Sequence, residues 1–88
     1  MARYSIEFSS RAYREFAKRD PAARARLAPA IEALAQDPRP AGAVALKGSE
    51  ATLRIRVGAY RVVFVIEDER LVVLVIKVGH RRDVYRER

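Results

Sequence analysis

Three arginines are spaced so that their side chains can share one face of a β-hairpin. Arg54 and Arg56 alternate with apolar residues, which predicts a half-buried strand, and Gly58 indicates a two-residue turn. Such a turn places Arg61 opposite Arg56, with Arg54 on the same face. Like charges that face each other across a sheet repel, so the pattern indicates an anion bound between them. Phosphate is the anion that best matches the geometry of a guanidinium group. The alternative interpretation is that these arginines are solvated residues on the outward side of an amphipathic strand and bind no anion.

A second group of polar residues follows the last apolar run of the sequence. Gly79 lets the chain leave a sheet without steric strain, and His80, Arg81, Arg82 and Tyr85 come soon after it. Titratable side chains at the end of a strand often form binding or catalytic sites. We expect these residues to reach the edge of the arginine face. A structural histidine, solvated arginines and an aromatic anchor for the tail are the alternatives.

Composition limits the class of protein and of site. The 88 residues carry a net charge of +7, and nearly all of the positive charge is arginine. This balance is typical of nucleic-acid binders. The chain has no cysteine and one histidine, so we expect no metal and no cofactor. Its apolar runs are too short to cross a bilayer, and we expect one cytoplasmic domain over residues 1–88, with no membrane partner.

The N-terminal half predicts a strand and two helices that support this face. Residues 3–8 alternate as a strand does, Ser9 or Ser10 can cap a helix that runs to about residue 18, and Asp20 can cap a second helix. Pro29 predicts a kink or a break in that second helix. Residues 37–42 predict a loop, and residues 45–48 predict a short strand or extended segment.

The C-terminal half predicts an antiparallel β-meander over residues 52–57, 60–67 and 71–78. A three-residue loop at residues 68–70 places Lys77 opposite Arg61, whereas a two-residue loop buries Lys77. We therefore expect the three-residue loop, with Val72, Leu74 and Ile76 facing the helices. An apolar strip then lies beside the arginines and consists of Val63, Val65, Val73 and Val75. The expected fold class is α+β, with both helices on one face of the sheet.

The order of these elements and three short motifs resemble the RelE/ParE superfamily of bacterial toxins. The motifs are Leu-Lys-Gly at residues 46–48, Tyr-Arg-Val-Val at residues 60–63 and Val-Gly-His-Arg-x-x-Val-Tyr at residues 78–85. The resemblance covers nearly the whole chain and implies a RelE-like microbial RNase fold. For the RelE branch it implies a type II toxin that cleaves mRNA on the ribosome. The implied partners are the ribosome, mRNA and a cognate antitoxin, with which the toxin forms a hetero-oligomer.

Carried over position by position, the resemblance also implies roles for individual residues. The implied catalytic residues are Arg61, Arg81, Tyr85, Arg56 and His80. Apart from the resemblance, we expect the basic residues Arg54, Arg56, Lys47, Lys77 and Arg82 to bind RNA. Some relatives have Lys where this chain has Arg54, Arg56 and His80. Because an arginine stays protonated, it keeps the charge of a lysine but is less suited to proton transfer.

Two other functions remain open from the sequence. The ParE branch shares the fold but inhibits DNA gyrase without cleaving RNA, and it generally lacks the full set of basic residues and tyrosine. A basic RNA-binding domain without toxicity is the third hypothesis. Every position of the RelE-type set is chemically filled here, which favours the nuclease.

Overall fold

A computed structural model of the protein describes residues 3–46, 48 and 50–80. Its elements are β1 (Ser5–Phe8), α1 (Ser10–Ala17), α2 (Pro21–Ala33), β2 (Val44–Ala45), β3 (Thr52–Val57), β4 (Tyr60–Glu67) and β5 (Val72–His80). The strands form one sheet in the order β1-β5-β4-β3-β2. β1 lies parallel to β5, and the other neighbouring strands are antiparallel. The predicted α+β fold class is confirmed.

Both helices begin at the side-chain caps that the sequence predicts. Ser9 Oγ accepts a hydrogen bond from the N–H of Ala12 at 3.1 Å, and Asp20 Oδ1 accepts one from the N–H of Ala23 at 2.8 Å. α2 continues through Pro29, so the predicted break does not occur. Pro29 lies on the exposed side of the helix. The loss of one helical hydrogen bond there is offset by the buried side of α2, which packs on the sheet.

The hydrophobic core lies between the helices and one face of the sheet. α1 contributes Ala12, and α2 with its C-cap contributes Leu27, Ile31 and Leu34. The sheet contributes Leu53, Val62, Phe64, Ile66, Val73, Val75 and Val78. Burying a large apolar side chain stabilises the fold by about 1.5–3 kcal/mol, so this layer holds the strands firmly enough to position side chains on the opposite face.

The connection between β4 and β5 is longer than predicted. Glu67 pairs with Val72, so four residues, 68–71, form the turn instead of three. Leu71 adopts a φ of 54° in this turn. The pairing then shifts, because Phe64 pairs with Val75 while Val63 pairs with Lys77. This β-bulge contains one extra residue on β5 and bends the strand locally.

The turn and the bulge together change which residues of β5 face the helices. Val73 and Val75 are fully buried in the core, so the predicted inward set of Val72, Leu74 and Ile76 is wrong. The predicted apolar strip beside the arginines keeps Val63 and Val65 but loses those two valines. Lys77 lies opposite Val63, not opposite Arg61 as predicted. It still falls on the arginine face, because the bulge restores the alternation that the longer turn reverses.

No helix in the described ranges is both long enough and apolar enough to cross a membrane.

Candidate functional site

The hairpin of β3 and β4 brings three arginines to the face of the sheet that lies opposite the helices. Val57 pairs with Tyr60 and Arg56 pairs with Arg61, which confirms the predicted two-residue turn. Gly58 has a φ of 61°, a conformation that glycine adopts without strain. Arg54 lies two residues before Arg56, so its side chain projects from the same face. We call Arg54, Arg56, Arg61 and Lys77 the basic face.

Two of these guanidinium groups have no counter-charge in the described part of the chain. Among the described residues, Arg54 and Arg56 form no ion pair with a carboxylate. The Nε of Arg54 is buried and has no hydrogen-bond partner there. A buried donor without a partner lowers the stability of the folded state by about 1–3 kcal/mol. The positive charges of Arg54 and Arg56 are thus not balanced by any described carboxylate, and an anion-binding site requires such unbalanced positive charge.

Lys77 differs from Arg54 and Arg56 because a carboxylate lies near its ammonium group. Its Nζ lies 3.8 Å from Glu15 Oε2, and the two side chains are only 16% and 19% exposed. The ammonium group is therefore drawn to the edge of the sheet, where α1 lies. We expect Lys77 to contribute less to anion binding than the arginines do.

His80 lies apart from the basic face. It pairs with Tyr60 at the end of β5, and the two rings meet edge to face with their centroids 5.2 Å apart. In this register His80 and Tyr60 share the face of Val62, which packs against the helices, whereas Arg61 projects from the other face. The structure therefore brings Arg54, Arg56 and Arg61 together but does not bring His80 to them.

Four predicted site residues lie outside the described residues: Lys47, Arg81, Arg82 and Tyr85. Their roles stay predictions. Within the described part of the chain, no group of three or more His, Asp or Glu side chains is arranged to hold a metal ion.

Arg26 is a further cation near this hairpin that sequence reasoning missed. A Cβ atom added to Gly58 would lie 3.3 Å from Arg26 Nη1, so the guanidinium of α2 lies against the turn between β3 and β4. It extends the positive charge at the tip of the hairpin. Alternation within the strands gives no signal for this residue, because Arg26 comes from a helix that is distant in sequence.

A separate charged cluster joins three loops on the exposed surface. Asp68 accepts hydrogen bonds from Arg39 Nη2 at 3.0 Å and from the Tyr4 hydroxyl at 2.5 Å. Both bonds lower the pKa of Asp68, and the bond from Arg39 has the larger effect. The bond to Asp68 raises the pKa of Tyr4. The cluster connects the start of β1, the segment after α2 and the β4–β5 turn. It is a structural contact and not part of the basic face.

Comparisons with known proteins agree on one family. A family model described as the ParE toxin of the type II toxin-antitoxin system parDE matches residues 6–85. Toxin RelG of Mycobacterium tuberculosis is 31% identical over 84 residues, which are 94% of this chain and 97% of RelG. The isolated RelE toxin of E. coli has a TM-score of 0.79 at 28% identity, with 94% of this chain and 97% of RelE covered.

Two solved complexes are also similar. The toxin-antitoxin complex RelBE of E. coli contains a chain with a TM-score of 0.77 at 31% identity, and the match covers 88% of this chain and 95% of that one. The RelBE2 complex of M. tuberculosis gives 0.76 at 29% identity, over 90% of this chain and 99% of the other.

Proposed function

The chain belongs to the RelE/ParE superfamily of type II toxin-antitoxin toxins, and on that premise we propose that it is a ribosome-dependent endoribonuclease. It would cleave mRNA without a metal ion and so inhibit translation. The observation that supports the proposal most is the basic face. Three arginines project from it together, and the buried Nε of Arg54 has no partner among the described residues. The phosphates of an RNA backbone match guanidinium groups in charge and geometry.

The proposed reaction uses a nucleophile that RNA itself supplies. The 2′-hydroxyl oxygen attacks the adjacent phosphorus, and the bond from phosphorus to the 5′ oxygen of the next nucleotide breaks. The products are a 2′,3′-cyclic phosphate and a 5′-hydroxyl end. Negative charge builds up on the phosphate oxygens during this step. Fixed guanidinium groups that face this charge stabilise the transition state more than the ground state.

Each arginine of the basic face has a separate role in this proposal. Arg61 lies next to the turn and directly opposite Arg56, so we assign it to the scissile phosphate. Arg56 stabilises the same phosphate from the facing strand. Arg54 binds a neighbouring phosphate through the positive charge of its guanidinium group, which no carboxylate among the described residues balances. Lys77, already paired with Glu15, has a supporting role.

The two proton transfers are assigned to the tail that follows β5. Tyr85 takes the proton of the 2′-hydroxyl, since nearby cations favour the phenolate form of a tyrosine. Arg81 stabilises the charge on the leaving 5′ oxygen and donates the proton that makes it a hydroxyl, and the Arg81 guanidinium then regains a proton from water. We prefer Arg81 to His80 for this role, because His80 packs against Tyr60 and lies on the face of the sheet away from Arg61.

The proposed partners follow from the family and from charge. Structures of relatives include toxin-antitoxin complexes from E. coli and M. tuberculosis. We propose that this chain, as a single cytoplasmic domain over residues 1–88, binds a cognate antitoxin in a hetero-oligomer. An acidic segment of the antitoxin would cover the basic face together with Val63 and Val65 beside it, and would fold on binding. The ribosome would hold the mRNA and supply the orientation that a small toxin cannot supply alone.

Inducible expression of the wild type beside Arg61→Ala and Tyr85→Phe tests this function. We expect the wild type to arrest growth and to produce transcripts with defined 5′-hydroxyl ends inside coding regions. Both variants should lose these ends while accumulating as folded protein. Co-expression of the antitoxin should restore growth. Growth arrest with intact transcripts would rule out the nuclease.

The second candidate is inhibition of DNA gyrase, which is favoured by one observation. The family model that matches residues 6–85 is described as a ParE toxin. A gyrase inhibitor should arrest growth with relaxed plasmids and a DNA-damage response but with intact mRNA. Plasmid topology and transcript ends, measured in the same culture, separate the two functions.

A further inference from the structure

The outer edge of β5 changes its neighbour part-way along the strand. β1 covers this edge as far as Val75, which pairs with Phe8 and accepts a final hydrogen bond from the N–H of Ser9 at 2.9 Å. Past this point no described strand lies on that side, and α1, which begins at Ser10, packs against β5 instead. The open edge of a strand presents N–H and C=O groups that need partners.

Two charged side chains supply these partners at Val78. The N–H of Val78 donates to Glu15 Oε1 at 2.7 Å, and the C=O of Val78 accepts from Arg19 Nη2 at 3.0 Å. Glu15 belongs to α1, and Arg19 lies just beyond the end of that helix. Hydrogen bonds with an ionised partner are shorter and stronger than neutral ones. Val78 is thus held at the edge by both of its backbone groups, as it would be by a neighbouring strand.

The same two side chains also contact the neighbours of Val78. The second oxygen of Glu15 lies 3.8 Å from Lys77 Nζ. The Arg19 guanidinium lies 5.2 Å from the centre of the Tyr60 ring, which in turn contacts His80 edge to face. The end of β5 is therefore tied to α1 at several points. The next residue along the chain is Arg81, and Tyr85 follows four residues later.

We propose that Glu15 and Arg19 are positioning residues that hold Val78 at the open edge of β5 and thereby fix the point from which the chain presents Arg81 and Tyr85 to bound RNA. This inference rests on the proposed nuclease function. Neither side chain needs to touch RNA, since each acts through the backbone of Val78. The effect on rate is large because displacing a reacting group by about 1 Å can slow a reaction about 100-fold.

Substitution of Glu15 by two different residues separates the hydrogen bond from the charge. Glu15→Ala removes both, whereas Glu15→Gln keeps an oxygen that can accept from Val78 but loses the charge that faces Lys77. We expect Glu15→Ala to lower kcat for cleavage of ribosome-bound mRNA about 10–100-fold with little change in KM. Glu15→Gln should stay close to the wild type. Glu67→Ala is the matched control, because it breaks only an exposed ion pair with Arg70 and should leave kcat unchanged.

Amide hydrogen exchange at Val78 gives a readout that does not depend on cleavage. Exchange at this amide should be faster in Glu15→Ala and unchanged in Glu15→Gln and Glu67→Ala, measured on the full chain by NMR. If Glu15→Ala does not fold, Arg19→Ala and Arg19→Lys provide the same comparison of kcat, since Arg19 donates to the C=O of Val78.

Four results would overturn the inference. Val78 exchange that is the same in all variants would show that Glu15 does not hold this edge. Normal kcat in Glu15→Ala, despite faster exchange, would show that the edge does not position the tail. An equal loss of kcat in Glu15→Gln and Glu15→Ala would assign the effect to the charge of Glu15, which faces both Arg11 and Lys77. A wild type that cleaves no RNA would refute the nuclease and this inference together, and the exchange data would still show whether Glu15 holds Val78.

Discussion

Replacing Arg56 by Gln should make the free protein more stable while it weakens RNA cleavage. Arg56 and Arg61 face each other across β3 and β4, and no carboxylate among the described residues pairs with Arg56. The Cβ atoms of directly opposed residues are about 5 Å apart, and such pairs change stability by about 0.2–1 kcal/mol. Arg56 is exposed, so water screens its repulsion with Arg61 as it screens any surface pair. We therefore take about 0.5 kcal/mol for the repulsion that Arg56→Gln removes. For a domain of this size, the melting temperature should then rise by about 2–4 °C.

Thermal unfolding at low and high salt measures this effect. Charges are screened beyond about 10 Å in 0.1 M salt and beyond about 3 Å in 1 M salt, so the gain should be present in the first and absent in the second. Arg70→Gln is the control, because it also removes one positive charge, but Arg70 forms ion pairs with Glu67 and Glu7. That variant should be no more stable than the wild type. A lower melting temperature for Arg56→Gln at low salt would refute the claim that the basic face is strained in the absence of an anion.

Further predictions concern the surface cluster, the hairpin turn and the basic face. Asp68→Asn should destabilise the protein at pH 7 but not at low pH. The pKa of Asp68 is lower in the folded state than in the unfolded state, so its charge stabilises the fold above the unfolded pKa, and this contribution is lost as the pH falls through the folded pKa. Urea unfolding at both pH values checks this, and a stability difference that persists in acid would contradict it. Gly58→Ala should lower the free energy of unfolding by about 1–2 kcal/mol, because φ is 61° and the new Cβ would lie 3.3 Å from Arg26 Nη1. Gly58→Asn should lower it less, because Asn tolerates this conformation better than Ala does. Denaturant midpoints that do not rank in this order would refute the account of the turn. Arg54→Met should raise the free energy of unfolding by about 1 kcal/mol, because it removes a buried Nε that has no partner among the described residues. It should also reduce RNA binding in a filter assay. A variant less stable than the wild type would show that this donor is satisfied.

The hairpin that carries the arginines could be predicted because its signals are local. Alternation over β3, a glycine with positive φ and the short distance between Arg56 and Arg61 along the chain fix the pairing almost alone. The caps at Ser9 and Asp20 were predictable for the same reason, since a capping side chain and its target are three residues apart.

The register of β5 could not be predicted, because its sequence carries no alternation. Residues 71–76 are all apolar, so either set of alternate residues can face the core. The choice depends on the four-residue turn, where Leu71 adopts a positive φ, and on the bulge opposite Val63 and Phe64. Neither feature has a signal in residue types: Leu is not a typical residue for that conformation, and the bulge lies within a continuous apolar strand.

Contacts between distant segments were also missed. The parallel pairing of β1 with β5 joins residues more than 60 positions apart. The bonds of Glu15 and Arg19 to Val78 join residues that are 63 and 59 positions apart. One signal was present for Glu15, which is the only acidic residue of α1. A lone carboxylate among the basic residues of a helix indicates a specific partner.

Cleavage of ribosome-bound mRNA by purified wild type and Arg61→Ala tests the central claim most directly, namely that the guanidinium groups of the basic face act on the RNA backbone. Single-turnover rates and the chemistry of the new 5′ ends are measured on the same ribosome complexes, and circular dichroism confirms that both proteins are folded. We predict 5′-hydroxyl ends with the wild type and a rate at least about 100-fold lower with Arg61→Ala, in line with the loss of a transition-state contact. Equal rates for the two folded proteins would contradict the claim.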